Sequence, residues 1–154
     1  MITLPGSITG AAQTGFTTPT YTTSVDGATE SNIKQVAITA LGGTQAGVDT
    51  HSVSRPFVIN ASRPKQFAVL GKPNPTTGLI ADVPMNTYRV KGIKGLTPLA
   101  GQPSRNGTLT CELKLPAGSD TADAANVRAL ISATIGALSS ISAGLGDTAV
   151  NGVL

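Results

Sequence analysis

From Asn86 to Pro116 apolar and polar residues alternate with a period of two, and beyond Pro116 the spacing becomes helical. Over 106–116, Leu109, Cys111, Leu113 and Leu115 fall on one side and Thr108, Thr110, Glu112 and Lys114 on the other, as successive side chains of a strand do. Over 86–94, Tyr88 and Val90 share a face opposite Thr87, Arg89 and Lys91. If the two strands are neighbours, their Thr, Arg and Lys rows merge into one polar, cationic surface. The solvated face of an ordinary antiparallel sheet has the same pattern.

After the turn Ala117-Gly118-Ser119-Asp120, the residues Val127, Leu130, Ile131, Ile135, Leu138 and Ile141 recur at helical spacing. They predict one long amphipathic helix. Asp120 and Asp123 sit near its positive end, and Gly144 and Gly146 stop it. Residues 147–153 are left for a terminal turn or a second helix.

Upstream, the pattern predicts strands at 19–25, 33–41 (ended by Gly42-Gly43), 53–60 and 66–70, and a short one at 79–83. Pro56 places the third near an edge or bulge. Residues 73–78 (Pro-Asn-Pro-Thr-Thr-Gly) give the strongest loop signal, and 96–105 a second exposed loop. The fold class is therefore α+β in one domain, 1–154: about 1–118 β-rich, then a helical part over 120–154. Six strands about 4.8 Å apart make a layer about 29 Å wide, and one helix is about 10–12 Å across. One helix cannot cover that layer. A second chain must bring its own, which predicts an obligate homodimer with Val127, Leu130, Ile131, Ile135 and Leu138 at the interface.

Charge sharpens the picture. Lys and Arg number 11 against 8 Asp and Glu, a net charge of +3. Residues 55–114 hold nine basic and two acidic side chains (+7), and the remainder two basic and six acidic (−4). With only 12% of residues charged, a positive middle implies a field aimed at phosphate. Aromatic residues are 3%, so the core is aliphatic and thin. Residues 1–15 show neither the basic start nor the apolar run of a secretion signal, and no run is long enough to cross a bilayer. Cys111 has no disulfide partner and reads as a small buried hydrophobe. The chain reads as soluble and made in a reducing cytoplasm.

Catalysis ranks low. His51 lies beside Asp49 with Ser52 and Ser54 nearby, and a lone surface histidine is usually inert. No cluster has metal-ligand spacing, and Gly42-Gly43 lacks the Lys of a phosphate loop. No catalytic residue, metal or cofactor is predicted.

The run 87–91 (Thr-Tyr-Arg-Val-Lys), the strand 109–116 and the helix 128–138 resemble the coat proteins of single-stranded RNA bacteriophages, the leviviruses. The likeness is carried by roughly the last 70 residues. It implies an N-terminal hairpin, an antiparallel sheet of five to six strands, C-terminal helices, an interlocked homodimer and an icosahedral T=3 shell in the virion, made in a bacterial host's cytoplasm. It also implies that the sheet face away from the helices binds genomic RNA, in many relatives including a hairpin that represses replicase translation. By position, the RNA-facing residues are Thr87, Arg89, Lys91, Thr108, Thr110, Glu112 and Lys114. Where tight hairpin binders carry an aromatic and an amide, this chain has Thr108 and Thr110, so base stacking is lost and backbone binding stays. Two other classes fit the composition: a subunit of another β-rich assembly, such as a phage tail or pilus-like component, and a free dimeric RNA-binding protein.

Overall fold

The computed structural model describes residues 1–28 and 30–154. Six strands form one antiparallel sheet in sequence order: β1 Ser7–Thr9, β2 Thr17–Asp26, β3 Ile33–Thr44, β4 Phe57–Ser62, β5 Met85–Leu96 and β6 Arg105–Pro116. The strands rich in β-branched and alternating residues are the ones that pair. β5 and β6 match along their whole length, from Met85 opposite Pro116 to Leu96 opposite Arg105. Three helices follow: α1 Ser119–Ala122, α2 Ala124–Ser140 and α3 Ser142–Asn151.

The structure departs from the sequence reading in several places. Residues 66–70 and 79–83 are not strands. β4 and β5 pair directly with each other and with β3 and β6, so neither has a free side to offer them. The Asn86 side chain instead serves the backbone of Ala68, accepting from its N–H at 2.9 Å and donating to its carbonyl at 3.3 Å.

β4 begins at Phe57, because Ser52 and Arg55 close a reciprocal backbone turn just before Pro56. β3 runs through Gly42-Gly43. At Gly43 (φ 72°) a Cβ would lie 2.3 Å from the Thr17 and Thr18 carbonyl oxygens, so the glycine lets β3 pass an irregular stretch of β2.

The single long helix is two, bent by 54° at Ile141. Ser142 is buried there. Its hydroxyl donates to the Ala12 carbonyl at 2.5 Å and its own carbonyl accepts from Gln13 Nε2 at 2.8 Å. The hairpin loop thus holds the break, and α3 continues through Gly144 and Gly146 to end at Gly152 (φ 73°). Asp123 lies between α1 and α2, and its carboxylate accepts from Asn126 Nδ2 instead of capping a backbone N–H.

The buried apolar side chains are few: Val36, Ala37, Ile38, Val58, Ala61, Leu115 and Ala117. They sit in the central strands and at the turn from β6 into the helices. No residue of α2 is buried. Cys111, expected to be buried, is exposed, because the apolar side of β6 lacks cover within the subunit.

Candidate nucleic-acid interface

Register fixes which residues share a face. Opposite partners are Thr87 with Lys114, Arg89 with Glu112, Lys91 with Thr110 and Ile93 with Thr108. All seven residues named from the sequence therefore stand on one side of β5 and β6. The helices lie on the other side: Leu109 and Cys111 of β6 line a groove with Ile135, Leu138 and Leu145.

The sheet adds residues that the sequence reading missed. β4 brings Asn60 beside Lys91, Ser62 beside Arg89 and Val58 beside Ile93. β3 brings Gln35 beside Asn60, and β2 brings Asp26 beside Gln35, whose Nε2 donates to Asp26 at 2.8 Å. One polar row thus crosses five strands: Asp26, Gln35, Asn60, Lys91 and Thr110. The run Phe-Val-Ile-Asn-Ala-Ser of β4 obscures this, since its first three residues are all apolar and only the last four alternate. Ala37, Val58 and Ile93 form a small apolar centre beside the row.

The cationic surface is weaker than the charge count implies. Arg55 is paired with Asp49, Lys65 bonds Glu30 at 2.9 Å, and the Arg63 guanidinium lies over the Phe67 ring at 5.6 Å. Lys94 and Arg105 alternate onto the helix side. There Lys94 Nζ sits 4.6 Å from the Phe57 ring centre and donates to the Asp49 carbonyl at 2.6 Å, and its burial lowers its pKa. On the open face of β5 and β6 three cations remain: Arg89, Lys91 and Lys114.

Glu112 divides its carboxylate between two of these. Arg89 Nε donates to one oxygen, and Lys114 Nζ lies 3.1 Å from the other. The hydrogen bond from Arg89, and after it that from Lys114, hold the Glu112 carboxyl below the usual carboxylate range. Three cations less one carboxylate leave +2 on this part of the face. Lys91 is the cation here that is not bonded to Glu112. No aromatic side chain stands among the paired residues of this face, since Tyr88 alternates to the helix side opposite Leu113.

His51 is structural: its Nδ1 accepts from the Phe57 N–H at 3.0 Å. Asp120 and Asp123 belong to the helix starts.

Comparison with known proteins agrees with this architecture. The fold matches a solved structure described as the virus-like particle of bacteriophage ESE020, with a TM-score of 0.96, 49% sequence identity and coverage of 100% of both chains. The chain belongs to the bacteriophage coat protein family. It is a structural subunit of a self-assembling capsid. The match spans the β-rich first half as fully as the C-terminal 70 residues that carry the sequence resemblance. No protein-family model and no curated protein sequence matches the chain.

Proposed function

We propose that this chain is the coat protein of a single-stranded RNA bacteriophage of the levivirus type, which forms homodimers, closes into an icosahedral T=3 shell and packs RNA against its open sheet face. The observation that carries this reading is surface area. The subunit exposes 10579 Å², whereas a compact monomer of its mass exposes about 7,200 Å².

Part of the excess, about 3,400 Å² in all, lies where a partner would sit. Leu109 is 71% exposed, Ile135 58% and Leu130 51%, with Leu138, Ile141 and Leu145 also open. β6 is a sheet edge twelve residues long, with one row of backbone groups unpaired. Such an edge favours pairing with another chain. A second copy related by a twofold axis meets both needs: its β6 continues the ladder, and its α2 covers the Leu109 and Cys111 side. Val127, Leu130, Ile131, Ile135 and Leu138 are the side chains that this contact buries.

The opposite face then lines the particle. Its RNA contacts are Thr87, Arg89, Lys91, Thr108, Thr110, Glu112 and Lys114, joined by Asn60 and Ser62. With +2 per subunit here and no aromatic platform, binding goes to phosphates and depends on salt. Many weak subunit contacts add up when the subunits are tethered in a shell. Repression of replicase translation through one hairpin would need base recognition beyond this.

The test is to express the chain alone, image it by negative stain and read the ratio of absorbance at 260 nm to that at 280 nm. Closed particles rich in nucleic acid are expected. Tubes or fibres free of nucleic acid would favour another β-rich assembly, and free dimers on short RNA a soluble RNA-binding protein.

A further inference from the structure

We infer that His51 is a proton-operated latch, which when neutral pins the connection between β3 and β4, residues 45–56, to the sheet and when protonated lets it loosen. The device lies within one subunit and does not depend on what the open face binds.

The connection is tied down from its start. Gln45 is buried, and its Nε2 donates to the Gly42 carbonyl at 2.7 Å and to the Thr20 carbonyl at 3.2 Å. The pairing of β3 with β4 ends at Ala37 opposite Val58. One residue further along β3, the Ile38 carbonyl accepts from the His51 N–H at 2.8 Å. The His51 ring then reaches the first residue of β4, its Nδ1 accepting from the Phe57 N–H at 3.0 Å. His51 therefore bridges β3 and β4 where their ladder stops, its backbone on one strand and its ring on the other.

The turn between β5 and β6 is rooted on the same connection. Gly95 N–H donates to the Pro56 carbonyl at 2.7 Å, Lys94 Nζ to the Asp49 carbonyl at 2.6 Å, and the Ser104 hydroxyl to the Ser54 carbonyl. The backbones approach closely there: a Cβ on Gly95 would stand 2.8 Å from the Arg55 Cα.

Among these bonds, the acceptor at Nδ1 is the one that a proton can occupy near neutral pH. A neutral imidazole has one donor and one acceptor nitrogen, so a ring that accepts at Nδ1 carries its hydrogen on Nε2. Protonation puts a second N–H at Nδ1, facing the Phe57 N–H, and two donors do not bond. The Phe57 amide is then left without its acceptor.

Charge acts in the same direction. The connection brings Asp49 and Arg55, which pair with each other, and β5 brings Lys94, a sum of +1 that an imidazolium raises to +2. Arg105, at the start of β6 and on the same side, has the same sign. β2 brings Tyr21, packed edge-on against Phe57 with ring centres 5.7 Å apart; burial raises its pKa, so it stays neutral. β3 brings no charged side chain over 36–44. The docked ring takes a proton only by giving up its bond, whereas a released ring takes one freely, so acid favours release.

The experiment measures amide protection factors, each exchange rate taken relative to the intrinsic rate at that pH, on the full chain at about pH 7.5 and about pH 5.5. It compares the unaltered protein with His51→Asn, whose Oδ1 replaces Nδ1 as an acceptor that does not titrate. Protection at His51, Phe57 and Gly95 should fall about threefold or more in the unaltered protein and hold in the variant. The chain has one histidine, ordinary carboxylates titrate near 4, and the Met1 amine titrates in both proteins, so the difference between them reports His51. No fall, or the same fall in both, overturns the inference. A nitrogen NMR titration of the unaltered protein does not depend on the variant's folding. It should show the imidazole hydrogen on Nε2 at the higher pH and a Phe57 amide signal that moves with the titration of the ring. A hydrogen on Nδ1, or a Phe57 amide indifferent to that titration, would refute the latch.

Discussion

Glu112 makes two of the three cations on the β5 and β6 floor share one carboxylate, so the side chains there are unequal. Lys91→Ala should therefore weaken binding to all single-stranded RNAs alike and lower the slope of log affinity against log salt by about 0.7. Arg89→Ala should cost less, because its charge is already partly answered by Glu112. Fluorescence anisotropy with several unrelated oligonucleotides at graded salt decides it; a loss confined to one sequence would contradict phosphate binding. Glu112→Gln has the opposite sign. It frees Arg89 and Lys114, raises the local charge from +2 to +3 and steepens the salt slope by about 0.7. Acid does the same to the unaltered protein. The folded-state pKa of Glu112 is lowered, so its contribution to stability is present above the ordinary carboxylate value of about 4.3 and is lost as pH falls through the lowered one. Below that window the floor is more cationic while RNA phosphates keep their charge. Affinity should rise more on acidification in the unaltered protein than in Glu112→Gln.

At the level of elements, β5 and β6 were legible in the sequence because each has one wet and one dry side, and period-two alternation records that directly. β4 was legible as a strand, but its start and the place of Asn60 on the open face were not, since Phe57, Val58 and Ile59 are apolar in succession. The supposed strands at 66–70 and 79–83 have the right composition, but pairing is a property of the sheet, and every inner position was taken. The break at Ile141 was invisible for a similar reason: its cause is Gln13 and Ala12, some 129 residues away along the chain. Cys111 is the most instructive miss. Its alternation places it on the dry side correctly, yet the subunit alone leaves it exposed. If α2 of a second chain lies over β6, the thiol is covered in the dimer. A water-soluble disulfide reagent should then react with Cys111 at least tenfold more slowly in intact dimers than in denatured chain. Ile135→Asp, which puts a charge into that contact, should abolish dimers and particles together. Fast labelling of the native dimer would mean that the helix lies elsewhere.

For the whole molecule, the balance between burial and chain entropy decides whether the subunit is a stable object at all. Ordering the backbone costs about 1–2 kcal/mol per residue, repaid chiefly by apolar area removed from water at about 25 cal/mol per Å². A subunit with seven buried apolar residues among those described and about 3,400 Å² more exposed surface than a compact monomer leaves much of that repayment to its partners. Folding and association should therefore be one equilibrium, with folded dimer exchanging directly with unfolded chain. The signature is mass action. The denaturation midpoint of dissociated dimers should fall with each tenfold dilution, by an amount corresponding to about 1.4 kcal/mol in the apparent stability of the dimer, and circular dichroism and sedimentation should report the loss of structure and of dimer at the same denaturant concentration. A subunit from a self-sufficient domain would behave otherwise, its midpoint fixed across a thousandfold range of concentration and a folded monomer appearing on dilution. That result would place the stabilising contacts within one chain and leave the exposed α2 and β6 surfaces without a role in folding.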